Sequence, residues 1–136
     1  AAGRIERIIL ADSLHASYVG DAAAPRAADL PVDESALEPF AMFAREAADG
    51  RKRMCVTHSE VYPGTYASTT ETANVLLRLV ALTRAPVLKQ GPVGMQQLSE
   101  AGRGGFHVAG YAGNSAPDHM DHLYALGDFL ACRRQP

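Results

Sequence analysis

The sequence predicts an α/β fold: three βα units whose parallel strands form one sheet with flanking helices. Three observations carry this expectation. Short apolar runs at 4–12 (RIERIILAD), 53–59 (RMCVTHS) and 104–113 (GGFHVAGYAG) have the continuity of strands buried on both faces. A stretch with the apolar spacing of a helix follows each run. The length, 136 residues, suits one modest core, so residues 1–136 read as a single α/β domain or part of one.

The first strand runs through Ile8, Ile9, Leu10 and Ala11. After a Pro- and Ala-rich crossing (DAAAPRAADLPVDE), the segment SALEPFAMFAREAADG places Leu37, Phe40, Ala41 and Ala44 at i, i+3, i+4 and i+7, which is an amphipathic helix with Gly50 as its stop. Beyond the second strand, Ser68-Thr69-Thr70-Glu71 has the S-x-x-E form of a capping box. The Ser oxygen accepts an early backbone N–H while the Glu reaches back. That helix continues through Leu76, Leu79 and Val80 and ends before Pro86. After the third strand, Met120, Leu123, Leu126, Gly127 and Leu130 mark one face of a last helix. The order β-α-β-α-β-α implies right-handed crossovers and a parallel sheet covered on both faces. Three strands leave two open edges, so a companion chain or a homo-oligomer is expected to cover them.

Composition narrows the function. Hydrophobic residues make up 47% and charged residues 21%, as in ordinary globular domains. A net charge of −2 gives no cationic surface for phosphates, so nucleic acid is not an expected partner. No apolar run approaches the roughly 18 residues of a membrane span. Two cysteines, Cys55 and Cys132, form neither a zinc set nor a disulfide framework and read as a buried thiol and a surface thiol.

In parallel sheets chemistry collects beyond the carboxyl ends of the strands. Here those ends carry Asp12 and His15, then His58 and Glu60, then Asp118, His119, Asp121 and His122. An acid from one strand end facing an imidazole from another can fix its tautomer and stabilise its cation, the supporting pair of nucleophilic catalysis. The nucleophile is missing. A strand-to-helix serine elbow needs G-x-S-x-G, because residues two before and two after must be nearly without side chains. The nearest window, Gly113 to Pro117 (GNSAP), has Pro117 in the second glycine's place, and Ser115 lies only four residues from His119. Ser13 and Ser59 have bulky neighbours and read as loop hydrogen-bonding residues.

The phrases LADSLHASY, VTHSEVYPGTYASTTETANVL and GGFHVAGYAGNSAPDHMDHL, with this order of elements, resemble the carboxyl-terminal half of α/β-hydrolase fold proteins, especially bacterial, exported hydrolase-like proteins. The resemblance covers nearly the whole chain. It implies a serine hydrolase acting on small-molecule esters or amides, esterase- or lipase-like, with triad order Ser, acid, His and the serine before residue 1. It places the histidine in PDHMDHL, where His119 is the candidate general base and His122 the second candidate. The acid falls at Asp12 or Glu60. Asp12 is favoured because it follows its strand at once and its short side chain is easier to hold. Such a reaction requires neither a cofactor nor a metal. Because no elbow serine is present, the chain reads as one piece of a larger hydrolase.

Two alternatives use the same residues. His119 and His122 stand at i and i+3, and with Asp118, Asp121 and a third ligand such as His15, His58 or Asp12 they would make a metal site. A non-catalytic binding or assembly subunit would instead use these groups to hold loops. In that reading Asp118 is a helix N-cap, His107 a core imidazole, Glu71 a capping residue, and Tyr18, Tyr62 and Tyr66 a packed loop rim.

Overall fold

The computed structural model describes residues 4–20 and 31–131. Strands β1 (Arg7–Ala11), β2 (Arg53–His58), β3 (Ala85–Gln90), β4 (Gln96–Arg103) and β5 (Phe106–Tyr111) form one sheet in the order β1-β2-β5-β4-β3. β1, β2 and β5 are parallel, with Ile8 opposite Met54 and Val56 opposite Val108. β4 runs antiparallel to β5, and β3 antiparallel to β4. The architecture is therefore α/β with flanking helices, but the sheet is mixed and five-stranded rather than three-stranded and parallel.

The two additional strands escape apolar pattern reading because they are polar. β3 (APVLKQ) is almost wholly exposed, and its Pro86 and Lys89 are residues that edge strands tolerate. β4 (QQLSEAGR) buries only Gln97 and Ala101. Gly104 and Gly105, expected to open a strand, instead connect β4 to β5: Arg103 pairs with Phe106, and Gly104 takes φ +58°. A Cβ on either glycine would strike a carbonyl oxygen, that of Ala48 or of Lys52. The chain thus covers the β5 side of the parallel strands with its own hairpin, while no strand among the described residues pairs with the outer side of β1.

Helices α1 (Glu38–Ala48), α2 (Thr69–Leu79), α3 (Ala116–Tyr124) and α4 (Leu126–Leu130) complete three layers. Side chains alternate faces along each strand, so Met54, Val56, Phe106 and Val108 point one way and Cys55, Ala109 and Tyr111 the other. The first set packs under α1 and α2 with Leu37, Ala41, Ala44, Ala73 and Leu76. Each fully buried large side chain there contributes about 1.5–3 kcal/mol. The Ser68–Glu71 capping box is formed, and the buried Tyr18 hydroxyl also donates to Glu71 at 2.8 Å. Tyr18 is thus a core residue, whereas Tyr62 and Tyr66 are exposed.

The second face is thinner. It gathers Cys55, Met95, Ala109, Tyr111, Ala125 and Phe129. The apolar positions expected to seat the last helix point outward: Met120, Leu123, Leu126 and Leu130 are all exposed, and the inward residues are His122, Ala125 and Phe129. A break at Ala125 divides that segment into α3 and α4 and moves the inward stripe. Cys55 is buried in β2; Cys132 and most of the Pro- and Ala-rich crossing lie outside the described residues.

Candidate active site

The candidate site forms where β1 and β2 end. Asp12 follows β1 directly and takes φ 50°, a left-handed conformation that aspartate adopts more readily than most residues. Its N–H donates to the Thr57 carbonyl at 2.9 Å, which anchors the turn to β2. The carboxylate is 4% exposed and turns inward. Ser59, just after β2, donates its N–H to Oδ1 at 3.1 Å and its hydroxyl to Oδ2 at 2.5 Å. Burial alone raises the Asp12 carboxyl, but hydrogen bonds from the Ser59 hydroxyl, His119 and the Ser59 N–H outweigh it and hold the acid below its ordinary value.

His119 approaches from α3. Ser115 caps that helix, and Asp118 reaches back to the Ser115 N–H and hydroxyl, at 2.9 and 2.5 Å. Asp118 is therefore the third residue of a capping box and not the N-cap itself. Pro117 suits the first turn, where its missing N–H costs nothing. Gly113 takes φ +125°, and a Cβ there would sit 2.5 Å from Asp118 Cγ. Its carbonyl accepts from the Glu60 N–H at 2.7 Å, tying this loop to the end of β2.

So fixed, the helix brings His119 Nδ1 to 2.8 Å from Asp12 Oδ2, across 107 positions of sequence. An ionised carboxylate only accepts, so Nδ1 carries the proton and donates it. The lone pair of the neutral ring is then on Nε2. The His119 side chain is 44% exposed, against 5% for Asp12, so the pair has a buried acid and an accessible imidazole.

The other candidates do not join the pair. His122, one turn along, is fully buried, with Nδ1 2.8 Å from the Thr57 hydroxyl and its ring edge-on to Tyr111. Burial pushes this imidazole below its usual pKa. Glu60 is exposed, and the side chain that supports Asp12 is that of its neighbour Ser59. His15 lies against the Ala67 carbonyl and Tyr66. His107 sits on β5 near Glu100. Among the described residues no three His, Cys, Asp or Glu side chains gather as metal ligands. His119 and His122 diverge instead, one to Asp12 and the other to Thr57.

Ser115 and Ser59 spend their hydroxyls on Asp118 and Asp12, and Ser13 is exposed on the loop after Asp12. Among the described residues no serine or threonine side chain hydrogen-bonds His119. Ser59 and Thr57 are the supporting residues that sequence reasoning undervalued. Their signal is position alone, at the last turn of a buried strand. The chain matches no family model, no curated protein and no solved structure.

Proposed function

We propose that this chain supplies the acid and the histidine of a Ser-acid-His hydrolase that cleaves small-molecule esters or amides, the serine coming from a companion segment. The observation that carries this reading is the contact between Asp12 and His119: a desolvated carboxylate on a strand tip, donated to by Ser59, holding Nδ1–H of an accessible imidazole. In that arrangement Nε2 takes the proton of a serine hydroxyl as its oxygen attacks the carbonyl carbon. Asp12 stabilises the resulting imidazolium, which then protonates the departing alcohol or amine. Water, deprotonated by the same nitrogen, releases the acyl group and regenerates the serine.

The companion fits the uncovered side of β1. That strand ends at the site, no strand among the described residues pairs with its outer backbone groups, and beside it Ile5, Ile8, Phe40, Met42 and Phe43 line an apolar groove of about 450 Å³. A second reading, a non-catalytic assembly subunit, draws on the outward apolar face of Met120, Leu123, Leu126 and Leu130.

A serine-directed fluorophosphonate applied to the native assembly separates the two readings. Labelling of a companion serine, lost when this chain carries His119→Ala with assembly intact, supports the hydrolase. Absence of label on every chain, with the assembly shown to be folded, overturns it.

A further inference from the structure

The net charge of −2 averages over a local excess of cations at the start of β1 and β2, the far end of these strands from Asp12 and His119. Glu6, Arg7, Arg51, Lys52 and Arg53 line an open pocket of about 400 Å³ there, and four of the five are cationic. Arg7 and Arg53 are Cα partners across the parallel pair, so their side chains leave the same face of the sheet. Like charges placed directly opposite each other destabilise a sheet, and such a pair calls for a counter-charge.

The surrounding residues supply little of it. Arg51 pairs with Asp49 at 3.3 Å and Lys52 with Glu46 at 2.8 Å, which leaves the central two cations. Arg7 donates Nη1–H to the Leu130 carbonyl at 3.1 Å, a contact that steers the guanidinium without neutralising it. Arg53 is half-buried, and among the described residues neither it nor Arg7 forms an ion pair with a carboxylate. The exposed Glu6 adds one opposing charge to the lining.

Neighbouring strands lie about 4.8 Å apart, so two guanidinium forks stand side by side over one pocket. A carboxylate has two oxygens and is satisfied by one fork. A phosphate monoester has three terminal oxygens and nearly two negative charges, enough to accept from both. A nucleic-acid phosphodiester brings a single charge, and four cations in one pocket make no track for a polymer. We propose that Arg7 and Arg53, flanked by Arg51 and Lys52, bind the phosphate monoester group of a small-molecule ligand. The pocket has room for the phosphoryl group and opens outward for the organic part of the ester. This site does not require the hydrolase reading, and its test uses no turnover.

The test follows the Arg7 and Arg53 Nε–H resonances of the full chain by NMR during titration with phenyl phosphate, at a pH of about 7.5 where the ester is mostly a dianion. Benzoate at equal ionic strength is the planar monoanionic control. Saturable shifts at both arginines are expected, with benzoate binding weaker by roughly 10-fold or more. Arg53→Gln, and separately Arg7→Gln, should each weaken phenyl phosphate binding by roughly 10-fold or more. Glu6→Gln, which removes the opposing charge, should tighten it by about 2- to 5-fold. Equal affinity for benzoate, or unchanged affinity in folded Arg53→Gln protein, overturns the proposal. So does attachment to phosphatidylcholine vesicles carrying phosphatidic acid without saturable binding of phenyl phosphate, which would mark the patch as a membrane contact instead.

Discussion

Asp12→Asn asks the most of the candidate site, because it exchanges one atom and should reverse a proton. Oδ1 accepts from the Ser59 N–H, and Oδ2 accepts from both the Ser59 hydroxyl and His119 Nδ1. An asparagine that keeps its oxygen for the Ser59 N–H places an NH2 group where Oδ2 was. The Ser59 hydroxyl can rotate and accept. His119 cannot keep its proton on Nδ1 and must carry it on Nε2, where it is useless as a base. Three charge-assisted bonds become neutral ones, and the one to His119 is screened by that ring's exposure. The expected loss of stability is therefore about 1–2 kcal/mol, mostly from Ser59. The decisive assay is the pair of ring ¹⁵N shifts of His119, which distinguish Nδ1–H from Nε2–H; urea unfolding gives the stability change. In a complete hydrolase the same variant should lose roughly 10⁴-fold in turnover, while Glu60→Gln loses little. A His119 ring that stays Nδ1–H in Asp12→Asn, or an equal loss in Glu60→Gln, would show that Asp12 does not set the tautomer.

Acid should destabilise the fold well above the range in which carboxylates titrate. His58 binds its proton at about 4 when folded and near 6.5 when unfolded, so the unfolded state gains protons first as pH falls. Stability is unaffected above that upper value, declines between the two, and levels below the lower one, for a total of about 3 kcal/mol. His122, also depressed, adds a loss of the same sign, whereas the lowered Asp12 contributes only as pH falls through its own folded value. Urea midpoints against pH should show a shallower decline in His58→Gln than in the native chain; equal slopes would remove His58 as the cause. Gly113→Ala, which strains φ +125° and crowds Asp118, should cost about 1–3 kcal/mol and loosen the contact between His119 and Asp12, seen as exchange broadening of the His119 ring.

The three parallel strands were legible because each keeps apolar continuity: RMCVTH and FHVAGY are buried on both faces, and RIILA, at the sheet edge, is only half-buried yet keeps the run. The capping box at Ser68 was legible for a local reason: its atoms are three residues apart and meet whatever the rest of the fold does. β3 and β4 fail both conditions. Their outer faces meet water, their pairing is with each other and with β5, and no periodic signal survives in APVLKQ. The outward face of α3 and α4 misled for the opposite reason. Its apolar spacing is real, but Ala125 interrupts the helix and a buried His122 takes an inward place that pattern reading gives to leucine.

Strand direction explains why the site's neighbourhood was readable and its members were not. Parallel strands collect their polar tips on one edge, so Asp12, Ser59, Glu60 and the 118–122 cluster had to be near one another. Choosing among them turns on single-residue rotations. Asp12 points inward because its backbone leaves the strand at φ 50°, and Ser59, not Glu60, meets it because adjacent residues face opposite ways. His119 and His122 sit nearly one helical turn apart, yet one ends at a carboxylate and the other at a buried hydroxyl. The same rotation places His58 on the opposite face from Thr57, beside Arg84, a residue from a turn that nothing in the sequence links to β2. Polar groups at strand tips therefore predict a locality, and their hydrogen-bond partners emerge only when the turn angles are known.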